Sequence, residues 1–450
     1  MSMAHASPRD WIALALGLTV GGCAGHFQQP VLDTPARYAH APSGETQGVV
    51  SADWWRALGD PGLDAAVALA LAGNRDFAQA GLRIRAAGLT AKLVGRDQWP
   101  TLSGDLSGQR ISSASTYSAN LAVTFDPDVS RRLAATTAAA DATARAVAED
   151  AGAARIALIM ATCDLYWDIG FTHQQLTTGR ATLADQRRIL NLVGVQRTFG
   201  LVSSVEVAEA EAAIAQQETA LSALEQHLVE DRAAMAILIG APPSSAIEEP
   251  QSLADVVPSP PPAGLPAELV SRRPDLRAAE LRLRATFQTG EAVRASLYPD
   301  IVLTGAGGAV SPALAHLFDH PVGSLLVAVS LPFLDPPRHR LNNGIVRANE
   351  QIAELGFRTA VAQALADVDN ALSRRTQLLE QRKSLVVGAA ASARAEALYA
   401  VRYRSGAVAL RVWLEAQQNR RTAQLALDSN LLALLQALAA LNAALGSSAG

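Results

Sequence analysis

The chain has 450 residues, of which 49% are hydrophobic but only 5% aromatic, and its formal net charge is −4. Ala, Leu, Glu, Gln and Arg dominate, the strong helix formers, so long and closely approaching helices are expected rather than a compact aromatic core. The absence of a polybasic tract argues against nucleic acid as a partner, and no uninterrupted apolar run of about 18 residues predicts a membrane-spanning helix.

The N-terminus reads as an address. After Arg9 and Asp10 comes WIALALGLTV (Trp11 to Val20), then Gly21, Gly22 and Cys23. The apolar run fits the core of a signal peptide and is too short to cross a bilayer. Small residues directly before a cysteine resemble a bacterial lipoprotein signal. That resemblance implies removal of residues 1–22, with Cys23 becoming the lipid-bearing (palmitate-type) first residue. Ala24, where an Asp would favour inner-membrane retention, points outward. Residues 23–61 are then a lipid-anchored extended segment, with Trp54 and Trp55 expected to pack just ahead of the first helix. Only Cys163 remains, inside a predicted helix, so no intrachain disulfide is expected.

From here the chain is written twice. A first helix is expected over about 62–98. Strands follow over about 101–125, roughly Thr101 to Ile111 and then YSANLAVTF (Tyr117 to Phe125). A very long helix is expected at about 134–199, then a break at Gly200, then a return helix at about 204–239. A proline-dense joint, 241–266, cannot be helical and is expected to be an extended equatorial strap. The second half repeats the plan: a helix at about 267–297, strands at about 301–331 (Ile301 to Gly308 and Val322 to Leu331), a long helix at about 340–405, a break at Gly406, a return helix at about 407–445, and a tail at 447–450. Three landmarks recur in order at nearly constant offset: Asn74-Arg75-Asp76 with Arg273-Pro274-Asp275, FDPDVSRR (from Phe125) with LDPPRHR (from Leu334), and Gly200/Glu209 with Gly406/Glu415. The repeats are thus 62–240 and 267–446.

At 1.5 Å per residue each long helix would be roughly 100 Å, matched by the two shorter helices of its half laid end to end. That suits a cylinder wall. In Tyr117 to Phe125, alternate residues Tyr117, Ala119, Leu121, Val123 and Phe125 share one face. The four strands have the length of tilted transmembrane strands, although two hairpins on a soluble helical bundle would show the same pattern. If the strands lie in lipid, four cannot close a barrel and an open edge is not tolerated there, whereas three copies would supply twelve.

Several motifs resemble one family, the TolC-like outer-membrane efflux factors, especially the NodT-type lipoproteins of RND pumps. The most specific are LPAELVSRRPDLRAAE (Leu265 to Glu280) and AVRASLYPDIVLTGAGG (Ala292 to Gly308), supported by FDPDVSRR, by ILIGAPP (Ile237 to Pro243) and by Arg402-Tyr403 with Gly406. The resemblance covers roughly residues 30–446. It implies a mainly α fold with a small transmembrane β part, built as a homotrimeric α-helical barrel topped by a 12-stranded β-barrel in the outer membrane. The implied partners are a periplasmic adaptor (membrane fusion) protein, an inner-membrane RND transporter, two further copies of the chain, and outer-membrane lipid. The implied function is a passive exit duct for small molecules, with no enzymatic step and no cofactor. A periplasmic coiled-helix scaffold without a pore, or the outer duct of a type I secretion system, are the alternatives.

The resemblance places the periplasmic tips at the two breaks. Gly200 and Gly406 would be tip glycines, and Leu201 with Val202 an apolar motif for the adaptor. Glu415 would be the acidic constriction residue and Glu209 its repeat mate; in a trimer, three copies of each would gather near one axis, repelling one another and attracting cations. Arg411 departs from the family, where an apolar residue is usual, and its spacing permits an i,i+4 pair with Glu415. Tyr403 and Arg402 would tie the tip to a neighbouring helix, or simply pack there. His316 and His320 lack a third ligand nearby, and Gly305 to Gly308 lack the Lys-Ser/Thr of a phosphate loop. A metal or nucleotide site is therefore not expected, and the glycines point to strand curvature.

Overall fold

The computed structural model describes residues 30–32, 34–41, 51–112, 114–243, 245, 248–254 and 259–447. Cys23 and the signal segment 1–22 lie outside them. The helices are α1 (Pro61–Gly73), α2 (Arg75–Gly95), α3 (Arg132–Thr198), α4 (Ser204–Leu238), α5 (Pro274–Ala295), α6 (Pro336–Arg404) and α7 (Leu410–Ala444). The strands are β1 (Thr101–Ile111), β2 (Ala114–Phe125), β3 (Asp300–Ser311) and β4 (Val322–Ser330), and a single helical turn, Leu269–Arg272, precedes α5. The fold is mainly α with one small sheet. It divides into two compact units, one holding Ala87–Arg145 and Glu280–Phe357, the other the described parts of Asp33–Ala86, Ala146–Ala279 and Arg358–Gly450.

In the first unit the four strands form one antiparallel sheet in the order β1-β2-β3-β4. Residues opposite one another share a face, so the register sorts the side chains. Leu102, Leu106, Val123, Leu121, Gly305, Gly307, Leu325 and Val327 fall on one face, while Ser103, Asp105, Ser107, Asn120, Ser118 and Thr304 fall on the other. On the first face Leu102, Leu106, Leu121 and Leu325 are exposed. Among the described residues, the outer edges of β1 and β4 have no partner strand. Of the GAGG glycines, Gly308 is the one its surroundings require: a Cβ there would lie 2.9 Å from the Ala119 backbone O and would also displace the side chain of Asn120, its cross-strand partner. Gly305 and Gly307 have open space instead.

Where the chain leaves the sheet, Asp residues start the long helices. The Asp128 carboxylate accepts from Leu133 N–H (2.9 Å) and Ala134 N–H (2.7 Å), while Asp126 takes Arg132 Nη2 at 2.9 Å. In the second half Asp335 accepts from Arg338 N–H at 3.2 Å. FDPDVSRR and LDPPRHR share Asp126 and Asp335, but the free N–H groups of the helix start are satisfied by Asp335 in the second half and by Asp128, opposite Pro337, in the first.

The second unit holds the core. Trp54 and Trp55 stack edge-to-face with centroids 6.2 Å apart. Together with Leu63 and Val67 of α1 they bury against Ile159, Cys163 and Trp167 of α3, Leu228 and Met235 of α4, and Leu431, Leu435 and Leu438 of α7. Each buried aliphatic side chain contributes roughly 1.5–3 kcal/mol. By length and composition α7 could cross a membrane, with a mean hydropathy of 1.4, but many of its apolar residues line this core. Leu253 of the proline-dense joint enters the same core. Nearby, Glu249 of the joint accepts from Arg232 Nε and Nη2 (2.6 Å each) and meets His173 Nε2 at 2.7 Å. These bonds hold the Glu249 carboxyl below its usual range, the one with Arg232 foremost.

The helix expected over 62–98 is two helices, parted at Asn74. Asn74 Oδ1 accepts from Phe77 N–H (2.8 Å) to cap α2, while its Nδ2 donates to Leu238 O (2.9 Å) at the end of α4. There Gly73 and Gly240 approach so closely that a Cβ on Gly240 would lie 1.9 Å from Gly73 O. The second half repeats this joint with other residues. Arg273 Nη1 donates to Ala444 O (3.2 Å) at the end of α7, Pro274 opens α5, where its missing N–H costs nothing, and a Cβ on Gly446 would lie 2.9 Å from Arg273 N. The Asn74 and Arg273 motifs are therefore where the return helix of each half meets its first helix.

Candidate docking and gating site at the two helix breaks

Both breaks are built by one backbone device. At the first, Gly200 N–H bonds Arg197 O (2.9 Å) and Leu201 N–H bonds Gln196 O (3.0 Å). At the second, Gly406 N–H bonds Tyr403 O (2.9 Å) and Ala407 N–H bonds Arg402 O (2.8 Å). This is the Schellman pattern, which needs a left-handed residue after the helix; Gly200 and Gly406 supply it with φ of 70° and 74°.

Beyond the glycine the two tips differ. Ser203 caps α4 in a full capping box with Glu206: Ser203 Oγ accepts from Val205 N–H at 3.1 Å, and Glu206 Oε2 accepts from Ser203 N–H at 3.0 Å and from the Ser203 hydroxyl. The hydrogen bond from Ser203 holds the Glu206 carboxyl below its ordinary range. At the second tip Ala409 stands at the N-cap, so no side chain caps α7.

What holds the second tip is tertiary. Tyr403 and Leu410 are buried in a cluster with Ile189 and Val193 of α3 and Ala210 of α4, against which Val202, Val207, Trp413 and Leu414 pack. The Trp413 and Tyr403 rings stack with centroids 5.2 Å apart and planes at 28°. Tyr403 donates its hydroxyl to Gln196 Oε1 (3.1 Å) across to α3, and Trp413 Nε1 donates to Glu396 Oε1 (3.0 Å) across to α6. Arg420 approaches the other oxygen of Glu396 at 4.0 Å. Burial raises the Tyr403 pKa, and the charge of Glu206 adds to the shift.

The residues singled out in the sequence therefore separate. Arg411 and Glu415 form the i,i+4 pair, Nη1 to Oε1 3.2 Å, with both side chains largely exposed. Glu209 is half-buried and Arg402 exposed; among the described residues neither side chain is in an ion pair, and the Arg402 carbonyl serves the turn. Leu201 is 72% exposed, whereas Val202 packs against the cluster, so the apolar pair is split between surface and interior. Phe199 (75%) and Val205 (61%) join Leu201 on the surface.

Sequence reasoning passed over Phe199, Val205, Gln196, Glu396 and Trp413. Leu410, Trp413 and Leu414 lie at i, i+3, i+4, the apolar stripe of a buried helix start, which could have revealed Trp413. Gln196 and Glu396 are polar residues within long helices and carry no such signal.

The sequence pattern of the family described as "Outer membrane efflux protein" matches residues 66–241 and 265–447. Among curated relatives, the outer membrane protein OprJ of Pseudomonas aeruginosa is 31% identical, over 90% of this chain and 89% of that protein. The pyoverdine export outer membrane protein OpmQ of Pseudomonas putida is 27% identical, over 98% of this chain and 97% of that one. The CmeC outer membrane channel of Campylobacter jejuni superposes with a TM-score of 0.88 at 19% identity, covering 94% of each chain, a likeness of fold.

Proposed function

The chain belongs to the outer membrane efflux protein family, and from that premise we propose that three copies form the exit duct of a tripartite RND-type efflux pump. The protein is an outer-membrane efflux channel component whose pump partners are an adaptor and an inner-membrane transporter. It works by conduction, with no enzymatic step in the proposal. In this reading the β1 edge of one copy pairs with the β4 edge of the next, closing twelve strands into a barrel and leaving no open edge in lipid. The apolar face carrying Leu102, Leu106, Leu121 and Leu325 meets the acyl chains, and the face carrying Ser103, Asp105 and Asn120 meets water. Cys23 carries the lipid anchor, so that the chain is tethered to the outer membrane and its helices extend into the periplasm.

The observation that carries the reading is the register: one sheet whose faces differ on β1 and β2, apolar against polar, with two edges that have no partner strand among the described residues. On β3 and β4, Val310, Val322 and Leu326 are exposed on the second face too. The soluble alternative, hairpins decorating a bundle, leaves exposed leucines on the sheet without a role. At the breaks, Phe199, Leu201 and Val205 form the apolar surface that the adaptor covers. Glu415 and Glu209 supply the acidic entrance, with Arg411 partly neutralising Glu415 and with Tyr403 and Arg402 at the base of the second tip.

Purified protein added to planar lipid bilayers tests this reading. Discrete cation-preferring conductance steps are expected. Detergent-free solubility together with an inert bilayer would overturn it.

A further inference from the structure

Two helices beside the sheet carry exposed apolar stripes of the same spacing. On α6, Leu341, Ile345 and Ile352 are exposed, as is Ala348 between them, so the stripe advances by 4, 3 and 4 residues. On α2, Leu82, Leu89 and Leu93 are exposed, with Ala86 exposed between them, and the steps are again 4, 3 and 4. Alternation of 3 and 4 is the seam of a coiled coil, and what fills such a seam is another helix. The far side of each helix is already in use. On α6, Val346 and Phe357 are buried, and the Glu350 carboxylate accepts twice from Arg294 Nη2 of α5 (2.8 Å each). On α2, Ala80 and Ala91 are buried.

Within one copy the two stripes are kept apart. α2 leads into β1 and α6 leaves β4, the outermost strands of the sheet. Three strand spacings, roughly 14 Å, separate those ends, wider than the roughly 8–10 Å at which helices pack. We propose that α2 of one copy and α6 of the next form an antiparallel coiled coil. The pairing rests on the channel reading, in which β1 of one copy meets β4 of its neighbour and so brings these helices side by side. α2 runs toward the sheet and α6 away from it, which sets the pair antiparallel. Counted outward from the sheet, the two stripes then match layer by layer. Leu93 meets Leu341, Leu89 meets Ile345, Ala86 meets Ala348, and Leu82 meets Ile352. Large side chains meet large ones, and the two alanines share one layer. A slip of one heptad would set Leu93 against Ala348 and Ala86 against Leu355, two mismatched layers in a seam that close packing disfavours. The alanine layer therefore selects the register between copies.

Disulfide trapping of the full-length protein in outer membrane tests this pairing. Cysteines at exposed seam positions leave the packing within each copy alone, and the native Cys163 is buried. Leu89→Cys/Ile345→Cys, a bond that needs Cα atoms within ~7 Å, is expected to link two and three chains on oxidation and to release them on reduction. Ala86→Cys/Ala348→Cys should behave in the same way. Leu89→Cys/Ile352→Cys, one heptad or roughly 10 Å out of register, is expected to link about tenfold less, because its Cα atoms stand too far apart. Linking within a single chain, stronger linking by the slipped pair, or linking of the seam cysteines to a different protein would overturn the inference. The same preparations are tested for bilayer conductance. Conductance without the seam link sinks this proposal alone, and absence of both sinks the channel reading with it.

Discussion

With Gly200 aligned on Gly406, the two tips show how one turn can be stabilised in two ways. Ser203 stands opposite Ala409, Glu206 opposite Val412, and Val207 opposite Trp413. The first tip closes on itself through its capping box and gives only Val202 and Val207 to the cluster, which leaves Phe199, Leu201 and Val205 outside. The second tip has lost the cap and is tied by the Tyr403–Trp413 stack to α3 and α6. A self-contained turn can present apolar residues to a partner without loosening. A turn held by tertiary ties can open when those ties are broken. The duplication has thus given one tip the features of a docking surface and the other those of a latch.

The largest effect should come from Trp413→Ala. Losing the stack, the Glu396 hydrogen bond and the packing on Leu410 is expected to cost about 2 kcal/mol locally. That is a rise of roughly 30-fold in amide exchange over residues 400–415, with little change over 196–206. An equal rise at both tips would erase the distinction. Gly200→Ala and Gly406→Ala come next, at about 1–2 kcal/mol each for a left-handed backbone bearing a Cβ. Since nothing lies within 4 Å of either Cβ position, their costs in denaturant melts should be equal, and unequal costs would mean that the turns are not the same device.

Ser203→Ala should cost about 1 kcal/mol. The reciprocal Ala409→Ser, at a residue already in the extended N-cap conformation, should stabilise the second tip by about 0.5 kcal/mol. If Ala409→Ser stabilises nothing, the missing cap is not what distinguishes the tips. Arg411→Ala should change stability by less than about 1 kcal/mol, because an exposed i,i+4 pair is weak. Its effect belongs to conductance, where Glu415→Ala should alter ion selectivity more than Glu415→Asp; wild-type behaviour of both would remove Glu415 from the entrance. The smallest effect is that of pH. Glu206 is held below its unfolded pKa by Ser203, so its contribution is present above the unfolded carboxylate value and is lost as pH falls through the lowered one. Exchange at residues 203–206 should therefore rise on acidification more than at 409–412, and Ser203→Ala should abolish the difference.

Much of this was legible in the sequence because it rests on local chemistry. Left-handed turns select glycine, so Gly200 and Gly406 announced the breaks, and alternation in Tyr117 to Phe125 announced a two-faced strand. The division of the first helix at Asn74 had a local sign, since Asn is a favoured N-cap residue and Asn74-Arg75-Asp76 marks a helix start, but its second bond, to Leu238, depends on a return helix far along the chain. The splitting of Leu201 from Val202 was likewise hidden: two adjacent apolar residues look alike until the cluster around Tyr403 exists to take one of them. Arg411 was visible as the partner of Glu415 because their contact is set by helix spacing alone. Gln196 and Glu396 matter only through Tyr403 and Trp413, and no local pattern marks them.

The unpaired edges of β1 and β4 are the point on which the whole reading turns, and native mass spectrometry of the detergent-extracted protein addresses them most directly. A complex of three chains that separates into single chains on heating is expected if neighbouring edges close a barrel. A single chain that stays soluble after detergent is removed would contradict it.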